Sequence, residues 1–416
     1  MAKKWYGSDG LRLVSPFYHL KMSYQLNSEL FVNEDYVPPA WMKGAISEDM
    51  IPAKKLRLGR FPTPFHRWKI PAEDSKGLEI WVKRDDLSSF ELGGNKVRKL
   101  QFLLAEAKSQ NADTTVTIGA AQSNHCRATA VASRQLGMQP YIILRTRGAI
   151  DADIGSSLVG NLLWDKMAGA KICTVTSEKY HEIGQYKLVD HLAEKLRSEG
   201  KNVYSVPVGG SNSLGAFGYL DFIEEVRQQM QAHDGLRFDH LVFSCGSGGT
   251  ATGISLGAKL AGIPNIHGVC VCDSPDVFYG HVAETAAALG VDMVQHGKPE
   301  EWLSLYDGAG IGYGKSTPEE LAFVVRVARS TGVTLDPVYS GKGLYYLLHK
   351  AVELHPEVFK PGQRVLFVHT GGGFGLYDKA DELARMLASA DSQQTSALPL
   401  DGLMNLESTA TKPGMR

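Results

Sequence analysis

Short runs of apolar, β-branched residues alternate along the chain with segments whose apolar residues recur every three or four positions. The short runs are mostly apolar throughout, which is typical of strands buried on both faces of a parallel sheet. The longer segments have the period of amphipathic helices. This alternation predicts an α/β fold with open, mostly parallel sheets and helices on both faces. The predicted strands are Leu78–Lys83, Thr114–Ile118, Pro140–Leu144, Lys171–Thr174, Val203–Pro207, His240–Ser244, His267–Cys272 and Arg364–His369.

Two segments have the clearest helical pattern. Apolar residues recur at helical spacing in Val97–Ala107, which follows Gly93-Gly94-Asn95-Lys96. The alanine-rich segment Asn124–Leu136 ends just before Gly137, and glycine is common directly after a helix C-terminus. The pattern therefore predicts two helices, each preceded by a loop of small residues.

The order of the strands predicts two domains. Strand–helix units between residues 100 and 205 are expected to form a small domain. Residues 59–99 and 206–388 are expected to form a large domain, with the ligand in the cleft between the two. Residues 1–58 are interpreted as an N-terminal extension. Residues 391–416 are rich in polar residues and lack apolar periodicity, which predicts a disordered tail.

The charge balance bears on the class of partner. Lys and Arg number 44 against 45 Asp and Glu, so the formal net charge is −1 and no overall field attracts nucleic acid or an anionic membrane. No apolar run approaches the roughly 20 residues needed to span a bilayer. The 44 glycines suit many tight strand-to-helix turns. A small-molecule ligand is therefore expected.

The five cysteines indicate a reduced compartment. Their number is odd and they lack the Cys-x-x-Cys or Cys/His spacing of metal sites, so no metal is predicted. Met1–Met22 carries four basic residues and one acid, which is weakly similar to a transit peptide, but a plain terminal extension fits equally well. The sequence therefore predicts a cytoplasmic or mitochondrial location.

A glycine-rich loop, Gly246–Gly253, follows the predicted strand His240–Ser244 and precedes a helical segment. Small residues free backbone amides at a helix N-terminus, and this arrangement binds phosphate. The letters also fit the G-x-G-x-x-A fingerprint of dinucleotide sites, which would suit a nicotinamide-dependent oxidoreductase, but no acid is placed to bind a ribose. A phosphate loop is favoured, with a dinucleotide site and a structural turn as alternatives.

Two further loops of small residues follow predicted strands. Val368–Gly375 ends one strand, and Gly119–His125 ends another and starts the alanine-rich helix. Ser123 or Asn124 is an ordinary N-cap in one interpretation and a ligand for a carboxylate in the other. Because ligands in such folds bind at the carboxyl ends of strands, these loops are candidate parts of one site.

Lys96 stands at the start of a predicted helix, where the helix dipole disfavours a cation. Taken alone, Lys96 can be interpreted as an ordinary surface lysine. Together with a separate phosphate loop, it suits a Schiff-base lysine that binds pyridoxal phosphate.

Ordered stretches between Arg60 and Lys379 are similar to one enzyme family. The stretches are Pro62–Pro64, Lys83–Leu87, Asn95–Leu100, Gln122–His125, Pro207–Asn212, Ser247–Thr250, Asp336–Lys342 and His369–Gly372. They resemble the D-cysteine desulfhydrase and 1-aminocyclopropane-1-carboxylate deaminase family, and its plant-type desulfhydrase branch especially. Members are pyridoxal-phosphate enzymes of the tryptophan-synthase-β-like fold, so the resemblance implies that cofactor, held by the large domain.

The resemblance implies a role for each matching residue. The implied catalytic residues are Lys96, as Schiff-base lysine and base for the Cα proton, Ser123 and Tyr339. The implied cofactor-binding residues are Lys96, Asn95, Lys99, Ser247, Gly248, Gly249, Thr250, Ser340 and Thr370. The implied substrate-binding residues are Gln122, Ser123, Asn124, Tyr279 and Tyr339.

Ser340 helps to choose between the two activities of the family. In the deaminase branch a glutamate follows the motif tyrosine and keeps the pyridine nitrogen protonated, whereas this chain has serine after Tyr339. A hydroxyl from Ser340 or Thr370 next to the pyridine nitrogen would hold its proton less well, which implies that the cofactor ring is a weaker electron sink. This favours α,β-elimination of D-cysteine to hydrogen sulfide, pyruvate and ammonia by a homodimeric lyase. The alternative is ring opening of 1-aminocyclopropane-1-carboxylate to α-ketobutyrate and ammonia.

Overall fold

The computed structural model describes residues 32–146 and 158–391. All eight predicted strands are present, with ends within two residues of the prediction, and four short strands join them. In chain order the strands are β1 Asn33–Asp35, β2 Lys54–Leu56, β3 Phe65–Arg67, β4 Glu79–Arg84, β5 Thr114–Ala120, β6 Gln139–Thr146, β7 Lys171–Thr176, β8 Val203–Ser205, β9 His240–Cys245, β10 Ile266–Cys270, β11 Ser304–Asp307 and β12 Arg364–His369.

Helices connect most of these strands, as crossovers between parallel strands require. The described helices are α1 Ala72–Ser75, α2 Asn95–Ser109, α3 Asn124–Gln135, α4 Gly160–Met167, α5 Ser177–Ile183, α6 Gln185–Ser198, α7 Ser213–Ala232, α8 Gly249–Ala261, α9 Pro275–Ala288, α10 Met293–His296, α11 Pro318–Thr331, α12 Ser340–Tyr346, α13 Val352–Leu354, α14 Gly375–Asp378 and α15 Ala380–Asp391. A π-helical turn, Leu347–Ala351, links α12 to α13.

Two parallel sheets organise the molecule. The larger has the order β11-β10-β9-β12-β4-β3, and only the edge strand β3 is antiparallel to its neighbour. Helices α7, α8 and α9 pack on one face, and α11 and α12 pack on the other. The smaller sheet has the order β7-β6-β5-β8 and is parallel throughout, with α6 on one face and α3 and α4 on the other. The predicted α/β class with helices on both faces is confirmed.

The small sheet is built from strands that lie inside the predicted range 100–205. The predicted boundary between residues 99 and 100, however, falls within α2, which is continuous from Asn95 to Ser109. Its buried Leu100, Leu103 and Leu104 pack against α3. Continuous packing of this kind explains why periodicity marks the helix but not a domain edge.

The predicted N-terminal extension contains a packed segment. Strands β1 and β2 form an antiparallel pair, and Tyr36 and Met42 are buried in the core of the large sheet. The Tyr36 hydroxyl donates to Asp221 on α7 at 2.8 Å, and Lys55 pairs with the same carboxylate at 2.9 Å. Residues 32–58 are therefore anchored to the core. Met1–Met22 and nearly all of the predicted tail lie outside the described residues.

No helix in the described ranges is both long and apolar enough to cross a membrane.

Candidate active site

A cavity of about 290 Å³ lies where the carboxyl ends of the two sheets face each other. Loops after β5, β9, β10 and β12 reach it, as expected for a ligand site at the carboxyl ends of parallel strands. Its lining includes Asn95, Lys96, Ala120, Ser123, Asn124, His125, Arg145, Tyr180, Gly246, Ser247, Gly248, Thr250, Cys272, Asp273, Tyr313, Tyr339 and Thr370. Five segments distant in sequence, each identified by a sequence motif, thus border one cavity.

The loop Gly246–Thr250, here called the cradle wall, leads from β9 into α8 and forms one side of the cavity. Gly248 has φ +82°, and a Cβ atom there would lie 2.1 Å from the His281 ring. A Cβ atom on Gly246 would lie 2.7 Å from the Tyr339 ring. Only glycine fits these positions, and its absence of side chain leaves the backbone amides at the start of α8 open to an anion.

Lys96 lies in the first turn of α2 and lines the cavity. The preceding Gly94 has φ +106° and packs against the carbonyl of Thr370, which fixes the start of the helix beside the β12 loop. Burial lowers the pKa of Lys96 to about 8. Its amine therefore has a substantial neutral fraction near pH 8, which a nucleophile or a base requires.

Two more basic groups lie beneath the cradle wall without an anionic partner among the described residues. Lys99 is buried, and its Nζ donates to Gly209 O at 3.1 Å. A Cβ atom on Gly249 would lie 3.0 Å from that Nζ atom. Burial and the charge of Lys96 hold the pKa of Lys99 well below its ordinary value. The second group, His281, has a buried Nε2 with no described hydrogen-bond partner.

Ser123, Asn124 and Arg145, here called the substrate wall, border the cavity from the small sheet. Ser123 caps α3, because its Oγ accepts a hydrogen bond from Cys126 N at 3.2 Å. Its hydroxyl proton remains available to a ligand. The Asn124 Oδ1 atom is buried and has no partner in the described part of the chain. A helix N-terminus with such groups suits a carboxylate.

Gln122 stands apart from this wall. Its Nε2 donates to Val159 O at 3.1 Å, and its Oε1 accepts from Asn161 N at 2.9 Å. Both ends of the amide are thus used to hold the start of α4. The structure does not bring the Gln122 side chain into the cavity lining, unlike Ser123 and Asn124.

A pair of tyrosines borders the cavity, and one member was missed by sequence reasoning. The hydroxyls of Tyr313 and Tyr339 lie 2.7 Å apart, and both rings line the cavity. Tyr279, the predicted second tyrosine, lies elsewhere because its hydroxyl donates to Leu303 O at 3.0 Å and accepts from Leu305 N at 2.9 Å. Tyr313 comes from a glycine-rich loop without strand or helix periodicity, so no pattern marked it.

The β12 end of the cavity presents hydroxyls. Thr370 lines the cavity, and its Oγ1 lies 3.4 Å from the Oγ of the buried Ser340. The Asp336 carboxylate accepts from the backbone N–H groups of Val338, Tyr339 and Ser340 and so fixes the turn into α12. Among the described residues, Asp273 is the only carboxylate residue in the cavity lining, and it follows β10 rather than β12.

Comparisons with known proteins identify a matching family. Residues 56–371 match the model of a family described as pyridoxal-phosphate dependent enzyme. The chain belongs to that family. Over 364 residues it is 44% identical to a protein of Arabidopsis thaliana named bifunctional D-cysteine desulfhydrase/1-aminocyclopropane-1-carboxylate deaminase, mitochondrial. The aligned region covers 87% of this chain and 88% of the relative.

Two further relatives place the chain in the same part of the family. It is 33% identical to a D-cysteine desulfhydrase of Klebsiella pneumoniae, over 78% of this chain and 95% of the relative. A crystal structure of an ACC deaminase homologue superposes with a TM-score of 0.67 at 32% identity, over 79% of this chain and 94% of that one. The predicted family and cofactor are confirmed, which removes the nicotinamide alternative.

The residues present fit pyridoxal phosphate. The cradle wall offers open amides for the phosphate, and Lys99 and His281 are basic groups that lack an anion of their own. Asn95 donates to Thr250 Oγ1 at 3.1 Å and so joins the Lys96 helix to the cradle wall. His281 was missed by the sequence analysis because it lies on α9, away from every motif.

Proposed function

We propose that this chain is a lyase that eliminates hydrogen sulfide from D-cysteine and leaves aminoacrylate, which hydrolyses to pyruvate and ammonia. The names of the Arabidopsis and Klebsiella relatives support this substrate. The cavity also suits a small amino acid, since its substrate wall offers a carboxylate site and its far side offers a basic amine.

The hydroxyl end of the cavity is the observation that favours elimination. The resemblance associates ring opening with a carboxylate after the motif tyrosine, and this chain has Ser340 behind Thr370 there. A hydroxyl holds a ring proton less firmly than a carboxylate does. Elimination from D-cysteine tolerates a weaker electron sink, because its Cα carries a proton and its Cβ carries a leaving group.

Different residues of this chain perform different steps of the reaction. When bound, pyridoxal phosphate withdraws electrons from the substrate Cα and acidifies its proton. The neutral Lys96 amine removes that proton, which its lowered pKa of about 8 permits near neutral pH. Ser123 and the first amides of α3 hold the substrate carboxylate. The Tyr313–Tyr339 pair borders the substrate and excludes bulk water from that side.

A three-substrate assay tests the proposal. Purified protein loaded with pyridoxal phosphate is given D-cysteine, L-cysteine or 1-aminocyclopropane-1-carboxylate, and sulfide, pyruvate and α-ketobutyrate are measured. We expect sulfide and pyruvate in equal amounts from D-cysteine. Absence of both products from D-cysteine, with turnover of either other compound, would contradict the proposal.

Ring opening is the second candidate activity. The Arabidopsis relative is named for both reactions, and the solved homologue is named for the deaminase. The same assay measures it, since α-ketobutyrate comes only from the cyclic substrate. A rate on the cyclic substrate exceeding that on D-cysteine would reverse the order of the two candidates.

The assembly and compartment are part of the proposal. We expect a homodimer, which light scattering of the purified protein tests, and a mitochondrial or cytoplasmic location, which imaging of a C-terminal fluorescent fusion tests. The Arabidopsis relative is named as mitochondrial. The predicted division into a small domain (100–205) and a large domain (59–99 and 206–388) also remains a proposal.

A further inference from the structure

Arg145 presents a cation to the cavity that the reaction described above does not use. It is the penultimate residue of β6, is half-buried and lines the cavity. Its guanidinium lies over the Tyr180 ring, 5.1 Å from the ring centroid. This contact orients the planar cation without consuming its hydrogen-bond donors.

Among the described residues, no protein acceptor meets those donors. Across residues 32–146 and 158–391, Arg145 makes neither an ion pair nor a hydrogen bond through its side chain. Asp273 also lines the cavity but is exposed and forms no ion pair with Arg145 in these ranges. A guanidinium bordering a cavity with free donors is suited to an anionic group of a ligand.

The position of Arg145 indicates which part of the ligand it meets. Arg145 is the register partner of Ala120, next to the loop that leads to Ser123. Its charge acts on Tyr313 as well, where it opposes the rise in the phenol pKa that burial causes. Arg145 is therefore close to the strand end that leads to Ser123, and its charge reaches the tyrosine pair. In the proposed function, Ser123 and the α3 amides bind the α-carboxylate of the substrate. Arg145 is therefore available to bind the substrate side chain.

We propose that Arg145 is a specificity-determining residue that binds an anionic substituent on the Cβ of the substrate. This inference rests on the proposed binding of an amino acid in this cavity. In elimination the Cα–H proton passes to Lys96, a Cα–Cβ double bond forms, and the Cβ–S bond breaks with both electrons remaining on sulfur. The departing hydrosulfide is the anion that Arg145 receives.

Equilibrium binding of a matched ligand pair tests this role apart from turnover. D-aspartate and D-asparagine have nearly the same shape and differ in side-chain charge. Their dissociation constants are measured on the pyridoxal-phosphate-loaded protein from the change in cofactor absorbance. We expect the wild type to prefer D-aspartate by about 10- to 100-fold, the range given by hydrogen bonds to a charged partner.

Variants assign that preference to one side chain. Arg145→Met is expected to abolish the preference by weakening D-aspartate alone, and Arg145→Lys to retain part of it. Arg134→Met is the matched control, because Arg134 is an exposed arginine on α3 bonded to Gln139 and to the Ala168 and Gly169 carbonyls. It should leave both constants unchanged.

Three outcomes would overturn the proposal. One is a wild type without preference, and the second is an Arg145→Met protein that retains it. The third is an equal loss of affinity for both ligands, which would mean that Arg145 binds the shared α-carboxylate. The L-enantiomers are measured in parallel, so that a protein inactive on D-cysteine still yields an answer about Arg145.

Discussion

The two walls of the cavity are built in different ways. The cradle wall is a continuous loop, Gly246–Thr250, whose binding groups are backbone amides exposed by glycine. The substrate wall combines side chains from two segments, Ser123 and Asn124 at the start of α3 and Arg145 near the end of β6. From this difference we infer that phosphate binding depends mainly on backbone conformation in the cradle wall, whereas substrate choice depends on a few side chains.

Lys96 lines the same cavity as the two walls but belongs to neither, so its removal should affect the chemistry more than the binding. We expect Lys96→Ala to lower sulfide release from D-cysteine by at least about 10²- to 10⁴-fold, the typical cost of losing a general base. Both walls remain, so amino-acid and phosphate binding should persist. The assay is sulfide release from the pyridoxal-phosphate-loaded protein, with the absorbance spectrum recorded.

Lys108→Ala is the control, because Lys108 is an exposed lysine on the same helix α2. It should retain wild-type activity. Rapid sulfide release by Lys96→Ala would remove Lys96 from the mechanism.

Gly248→Ala should distort the cradle wall and leave the substrate wall unchanged. Alanine at φ +82° costs about 1–2 kcal/mol, and its Cβ would overlap the His281 ring. We expect the dissociation constant of pyridoxal phosphate, measured by titrating the apoprotein, to rise by at least about tenfold. The KM for D-cysteine at saturating cofactor should change little.

Gly280→Ala provides the comparison for that experiment. Gly280 lies on α9 beside His281, and a Cβ atom there would meet no neighbouring atom within 4 Å. Its cofactor affinity should equal that of the wild type. Equal affinity in Gly248→Ala would show that the cradle does not depend on this glycine.

Ser123→Ala should have the opposite effect to Gly248→Ala, because it should weaken substrate binding and leave cofactor binding unchanged. Loss of one hydrogen bond to the substrate carboxylate should raise the KM for D-cysteine by about 2- to 10-fold, with the affinity for pyridoxal phosphate unchanged. Loss of the N-cap should also lower the free energy of unfolding by about 1 kcal/mol. Ser123→Thr keeps the hydroxyl and the cap, so it should restore both quantities. A raised KM in Ser123→Thr would show that shape rather than the hydroxyl matters.

The contrast between the walls also explains how far the sequence could be interpreted. The fold class, eight of the strands and the cradle loop were predictable because each has a contiguous pattern of apolar residues or glycines. Lys96 and Ser123 stand in such patterns too, and the structure brings both to the cavity.

Residues that reach the cavity through tertiary packing were not predictable in this way. Arg145 ends a strand of otherwise ordinary composition, Tyr313 lies in an irregular loop, and His281 lies within a helix. Short polar strands such as Asn33–Asp35 were missed because they gain their stability from pairing with a partner strand. A single sequence carries no local signal for these contacts.

Tyr313, which the sequence did not indicate, and Tyr279, which was predicted in its place, can be compared by mutation, with the smallest expected effect. Tyr313→Phe removes the hydroxyl that lies 2.7 Å from Tyr339, so we expect kcat/KM for D-cysteine to fall a few-fold, by about 0.5–1.5 kcal/mol of transition-state binding. Tyr279→Phe removes hydrogen bonds to Leu303 and Leu305 outside the cavity. It should lower the free energy of unfolding by about 1 kcal/mol and leave kcat/KM unchanged. Steady-state kinetics and urea unfolding of both variants measure these quantities, and the reverse pattern would restore Tyr279 as the residue that meets the substrate.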